Sequence, residues 1–179
     1  MSDRPIASRS PLWVAAVAIA AVCAVSTAAG AENAQVARGK YLVAIAGCND
    51  CHTPGYFLGK PDAGRFLAGS DVGHEVPGLG VFVAPNLTPD NDTGLGTWTR
   101  EQIATAIQTG VRPDGRVLAP IMPWRGYAAL TKPDVAAIVE YLKSLPPVSR
   151  QVPGPFGPDE RPTVFRKTLV PPDVSDRRN

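Results

Sequence analysis

Apolar positions in this chain gather into three helix-like stripes, separated by stretches with no period. Between Asn33 and Ala46, Val36, Leu42, Val43 and Ile45 share one side, which predicts a helix, and Gly39 would let a second helix come close. A second stripe, Ile103, Ala106 and Ile107, is opened by Thr99 as N-cap. Gln102 completes a capping box and Gly110 ends the helix. Arg112-Pro113-Asp114-Gly115 reads as a turn. The third stripe is Val135, Ile138, Val139 and Leu142. Thr131 caps it, Pro133 and Asp134 suit its first turn, and Pro146-Pro147 stop it. Stripes of this kind face a core, and the third is expected to pack on the Gly39 helix.

The intervals are as informative. Residues 53–97 are rich in glycine and proline and predict irregular loops, with a short strand at Val81 to Ala84. So long a loop in a compact domain needs a large apolar surface to lie on. From Val148 to Asn179 the chain is proline-rich and of mixed charge. Phe156, Val164, Phe165, Leu169 and Val170 imply partial docking, and the remainder would wrap the surface or extend as a partner-binding arm. At the other end, Arg4 and Arg9 precede an uncharged apolar run, Leu12 to Val25, and Ala29-Gly30-Ala31 forms a small-x-small site before Glu32. The division expected is a signal peptide at 1–31, one domain at 32–148 and a C-terminal extension at 149–179. Uncleaved, the charge-free stretch between Arg9 and Glu32 is just long enough to anchor the chain in a membrane. Val22 is too bulky for Cys23 to be a lipoprotein anchor.

Charge adds an exclusion. The formal net charge of +2 becomes +1 once Arg4, Arg9 and Asp3 are removed, and no basic cluster marks a nucleic-acid surface. Beyond the leader the only cysteines are Cys48 and Cys51.

Those two cysteines carry the chemistry. Cys48-Asn49-Asp50-Cys51-His52 is a C-x-x-C-H run, the attachment signature of c-type haem. Thiols at i and i+3 lie on one side of a helical turn, placed to form thioethers with the two vinyl groups of a porphyrin. The imidazole at i+4 is then an axial ligand. A structural zinc site would need a second ligand pair, which the chain lacks. A thioredoxin-like dithiol would need a strand before the motif and a helix after it, whereas the pattern predicts a helix before it and a glycine- and proline-rich loop after it.

The second axial ligand is open to three readings. Met122 is the only methionine besides Met1 and lies stiffened by prolines in Ala119-Pro120-Ile121-Met122-Pro123-Trp124. His74, in Gly73-His74-Glu75, would give a bis-histidine haem. An empty sixth position would permit gas binding or peroxidase-like chemistry. Trp98, Trp124 and Arg125 are candidate contacts to the haem edge or propionates, with core packing or plain surface exposure as the alternative. His52 is expected to donate its other ring N–H to a carbonyl in the Pro54 to Pro61 loop. Asp90, Asp92, Gly94 and Glu101 miss the calcium-loop pattern and read as a turn.

Several further runs carry a resemblance. Gly47-Cys48-x-x-Cys51-His52, Pro85-Asn86-Leu87-Thr88-Pro89-Asp90, Gly94-Leu95-Gly96-x-Trp98-Thr99, Met122-Pro123-Trp124 and Tyr141-Leu142-x-Ser144-Leu145-Pro146-Pro147 occur in that order. Over about residues 35–148 the chain resembles one haem domain of the cytochrome c subunits of bacterial membrane-bound dehydrogenases, which serve alcohol, gluconate and molybdenum-hydroxylase-type enzymes. The resemblance implies an all-α, class I cytochrome c fold with His52 and Met122 on the iron. Many such subunits have three haem domains, whereas one motif here implies one haem c. The expected function is an exported, periplasmic electron carrier and not an enzyme. A dehydrogenase would be its donor and another cytochrome or a terminal oxidase its acceptor. Its membrane association would come only through an uncleaved leader or a partner complex. The alternatives are a haem enzyme or sensor with an exchangeable sixth site, and a haem-free interaction module.

Overall fold

A computed structural model describes residues 34–169. The expected signal peptide at 1–31, with Cys23, and Val170 in the tail lie outside the described residues. The first helix, α1, occupies residues 34–45 of the described chain. It is followed by α2 (Cys48–His52), α3 (Arg100–Thr109), α4 (Trp124–Tyr127) and α5 (Lys132–Ser144). Two single 3-10 turns, Tyr56–Leu58 and Ala63–Arg65, punctuate the loop after α2. Among the described residues no helix is long and apolar enough to cross a membrane.

Local chemistry accounts for the helix ends. Thr99 accepts the Gln102 N–H, and the Gln102 side chain accepts the Thr99 N–H in return, the reciprocal pair expected of a capping box. Gly110 ends α3 at φ 74°, a conformation that costs other residues a Cβ clash. Thr131 caps α5 by accepting the Asp134 N–H.

The core lies where α1, α3 and α5 meet. Leu42 and Val43 from α1 and Ile103 from α3 join Val135, Ile138, Val139, Tyr141 and Leu142 from α5, with Leu67 and Leu95 from the loops. Each such side chain contributes roughly 1.5–3 kcal/mol through burial. The exposed ion pairs Arg38–Asp134 and Arg100–Glu140 join the same helices but add about 0–1 kcal/mol each. Apolar burial therefore dominates. Gly39 makes the α1–α5 approach possible, since a Cβ there would overlap the Ala137 carbonyl and crowd Tyr141. Ile45 departs from the predicted stripe: it is 62% exposed and takes no part in the core.

The all-α expectation describes the helical frame but omits a small sheet of order β2-β1-β3. Strand β1 (Val72–Val76) pairs antiparallel with β2 (Gly80–Val83), close to the strand predicted at 81–84, and parallel with β3 (Phe165–Lys167). β3 comes from the C-terminal segment, so its partner lies far away along the chain and no local pattern announces it. The same segment exchanges two backbone hydrogen bonds between Phe156 and Val81, each 2.9 Å. Docking is partial, as Phe165 and Leu169 stay 70% and 83% exposed.

The α1–α5 contact yields a test. Gly39→Ala should lower stability by about 1–3 kcal/mol through overpacking, read as a lower urea midpoint. An unchanged midpoint would mean that the two helices part there freely.

Candidate haem site

The site begins with α2. Gly47, at φ 69°, turns the chain out of α1 so that Cys48, Cys51 and His52 share a single short helix. Both thiols are free and partly exposed. Burial, above all, pushes the Cys48 thiol up to about 11, and burial followed by Asp50 raises Cys51 as well. Among the described residues no cluster of three or more His, Cys, Asp or Glu is placed to hold a metal ion.

His52 is buried, and its Nδ1 lies 2.8 Å from the Pro85 carbonyl oxygen. A carbonyl only accepts, so Nδ1 carries the hydrogen and Nε2 keeps its lone pair for a metal. Burial lowers the pKa of the ring, outweighing the opposing effect of that hydrogen bond, and holds the imidazole in its neutral, ligating form. The acceptor is thus Pro85 and not a residue of the Pro54 to Pro61 loop. That nearer loop folds onto itself instead, with Lys60 N–H on the Gly55 carbonyl and Asp62 N–H on the Pro54 carbonyl. The His52 carbonyl is held as well, by the Gly69 N–H at 2.7 Å.

Thr53 extends the anchorage. Its hydroxyl donates to Asn49 at 2.6 Å and accepts the Leu67 N–H at 2.9 Å. Leu67 is fully buried at φ 58°, an unusual value for a residue with a bulky side chain. Its carbonyl accepts the Leu87 N–H, so this strained residue bridges the haem motif and the Pro85 segment.

Of the remaining candidates, Met122, Trp124 and Arg125 lie between α3 and α5, and Trp98, His74 and Asp90 lie before α3. Met122 is half-buried in a turn closed by its own N–H to Ala119 and by Trp124 N–H to the Met122 carbonyl. Trp124 packs on Gly110, where a Cβ would run into the indole. Arg125 is exposed and lies over that ring at 4.3 Å. Trp98 packs against the core, with Arg112 over it at 5.2 Å. His74 sits in β1, edge-on to Phe57 at 5.2 Å. Asp90 accepts the N–H and hydroxyl of Thr93, which makes its segment a turn.

Tyr127 was not a candidate from sequence, yet it links this region to the motif. Its hydroxyl donates to the Ala46 carbonyl at 2.7 Å, directly before the Gly47 turn. Nothing in its immediate sequence signals that role.

The buried polar inventory tests whether haem suits these residues. Among the described residues Trp124 Nε1 is buried without a hydrogen-bond partner. Leaving such a donor unpaired costs about 1–3 kcal/mol. An acidic porphyrin offers carboxylates to satisfy it. Two thiols one helical turn apart, an imidazole whose Nδ1 is bound and whose Nε2 can ligate, and a buried indole N–H without a partner together suit a covalently held haem.

That donor set defines a haem-binding domain of c type. Comparison with known proteins reaches the same class from the whole sequence: the family profile described as Cytochrome c matches residues 36–146. The chain is 35% identical over 137 residues to the fructose dehydrogenase cytochrome subunit of Gluconobacter japonicus, covering 73% of this chain and 26% of that protein. It is 31% identical over 153 residues to the alcohol dehydrogenase (quinone) cytochrome c subunit of Gluconobacter oxydans (strain 621H), covering 83% and 30%. A gluconate 2-dehydrogenase cytochrome c subunit from Pantoea cypripedii is 31% identical over 112 residues, covering 63% and 23%. This chain belongs to the cytochrome c family, which implies haem c as cofactor and electron transfer as the kind of function. It spans roughly a quarter to a third of the length of these relatives.

Tyr127 offers a pH-dependent check. Burial, and then the nearby Cys48, Cys51 and Asp50, push its hydroxyl up to about 12 from 10.0. The unfolded chain releases this proton first. The stabilisation is therefore complete below pH 10 and is lost as pH rises through the folded value near 12. Tyr127→Phe should cost about 0.5–1.5 kcal/mol at pH 7 and show a flatter loss of stability over that alkaline window. Identical pH slopes in urea titrations of the two proteins would contradict the assignment.

Proposed function

We propose that this chain is an exported, single-haem carrier with the class I cytochrome c arrangement, passing one electron at a time and catalysing no bond chemistry. Cys48 and Cys51 would hold the haem through thioethers, and His52 and Met122 would be the axial ligands. The observation that carries the reading is the His52 ring itself, buried and with Nδ1 committed to Pro85, which leaves Nε2 to ligate. Bound there, haem supplies a one-electron couple, while the protein contributes ligand identity, burial and hydrogen bonding.

Backbone geometry favours Met122 over His74. β1 is paired on both edges and its His74 packs against Phe57, whereas Met122 lies in a turn outside any helix or strand. A thioether ligand raises the potential and closes the sixth position to oxygen and peroxide, as a carrier requires. Trp124 is suited to donate to a haem propionate, with Arg125 stacked above it as a nearby positive charge. Trp98 is better suited to supporting the core beneath Arg112.

Export to the periplasm rests on the basic, apolar and small-x-small pattern of residues 1–31. The donor is a dehydrogenase, in line with relatives named as cytochrome subunits of fructose, alcohol and gluconate dehydrogenases. The acceptor is another cytochrome or a terminal oxidase.

Absorption spectra of the haem-loaded protein and of Met122→Ala provide the test. The oxidised wild type should show the weak long-wavelength sulfur-to-iron band, and the variant should lack it. The reduced wild type should resist carbon monoxide, and the variant should bind it. If the wild type lacks the band and takes up carbon monoxide readily, a sensor or peroxidase-like role replaces the carrier.

A further inference from the structure

The Pro85 carbonyl that orients His52 is followed by a residue with no hydrogen-bonding capacity left over. Asn86, 2% exposed, donates from Nδ2 to the Val148 carbonyl at 2.7 Å and to the Thr93 hydroxyl at 3.1 Å. Its Oδ1 accepts from the N–H and the hydroxyl of Thr88 at 2.9 and 2.8 Å. The Thr88 hydroxyl in turn accepts the Val148 N–H at 3.1 Å, and the Thr93 hydroxyl accepts the Arg150 N–H at 3.0 Å. A buried network with every member satisfied holds its backbone in one place.

Arg150 closes the bracket from the other side. Its guanidinium donates to the Ala68 and Ser70 carbonyls at 3.1 and 3.0 Å. Gly69, between those two residues, is the donor to the His52 carbonyl, and the Ser70 N–H binds the Ala84 carbonyl next to Pro85. Val148 and Arg150, just beyond α5, thus fasten both the segment that binds the His52 carbonyl and the segment bearing its side-chain acceptor.

We propose that Val148 to Arg150 forms a brace that fixes the Pro85 carbonyl and thereby sets the donor strength of His52, with Asn86, Thr88 and Arg150 as positioning residues. This rests on the reading of His52 as an iron ligand. A firm Nδ1–H···O bond makes the imidazole a stronger donor and favours oxidised iron, so loosening the brace raises the reduction potential. The C-terminal segment then tunes the redox centre without touching it.

The experiment is redox titration of the haem-loaded full chain, after a pyridine haemochrome assay has shown attached haem. Thr88→Val keeps the shape and removes the hydroxyl, Thr88→Ser restores it, and Arg150→Ala removes the outer grip. Thr88→Val and Arg150→Ala should each raise the midpoint by up to about a tenfold change in the electron-transfer equilibrium, ~59 mV for one electron. Thr88→Ser should stay at the wild-type value. Gly39→Ala, which destabilises the distant α1–α5 contact, should leave the potential unmoved. Wild-type potentials in loaded Thr88→Val and Arg150→Ala would overturn the brace while leaving the carrier reading intact. A Gly39→Ala shift as large as theirs would also overturn it, since the effect would then be general loosening. Should Thr88→Val not fold, the partly exposed Arg150 decides the matter alone. Wild-type protein without attached haem would sink the carrier reading and this one with it.

Discussion

An imidazole that ligates a metal does so through one nitrogen, so whatever holds the other nitrogen decides where the lone pair points. Here the holder is the Pro85 carbonyl, and much of the irregular part of the fold follows from bringing that oxygen to within 2.8 Å of His52. The chain must leave α2, return through Leu67 to Ser70 and lie beside Ala84 to Leu87. Each pass is fastened by a backbone bond: Gly69 to His52, Ser70 to Ala84 and Leu87 to Leu67. The left-handed Leu67 is tolerated because burial and two hydrogen bonds determine its position from both sides.

The helices serve that arrangement from beneath. Apolar burial between α1, α3 and α5 outweighs the surface ion pairs and gives α2 a fixed base at the end of α1. Gly39 lets α1 approach the Ala137 carbonyl of α5. Tyr127 joins that segment to Ala46. The Lys143 ammonium ties α5 to the Leu95 and Gly96 carbonyls, so the glycine-rich stretch before Trp98 is fastened to the same frame. The loops are thus irregular in backbone but well fastened by hydrogen bonds.

What was legible in the sequence was local. The capping box at Thr99, the glycine stop at Gly110 and the Thr131 cap depend on residues within one turn of each other, and all three are present in the structure. The stripes of α3 and α5 were readable for the same reason. Ile45 was not, because membership of an apolar stripe does not tell which of its edges the neighbouring helix covers. The acceptor for His52 is Pro85, thirty-three residues further along the chain, and proximity in sequence points instead to the loop that follows the motif. The uses of Asn86 and Thr88 stayed hidden because their shared partner, Val148, lies sixty residues or so further on.

The sequence by itself determined the chemistry. Two thiols and an imidazole in five residues specify a haem attachment point on any backbone that makes one helical turn, since i, i+3 and i+4 then face one way. Tertiary structure alone decided which tautomer the imidazole adopts, which indole N–H is left without a partner and which strand closes the small sheet. The physical reason is the range of the interactions. A helical turn is set by neighbours along the chain. A buried carbonyl, an orphaned donor and a parallel strand pair are set by segments that meet only when the whole chain has folded.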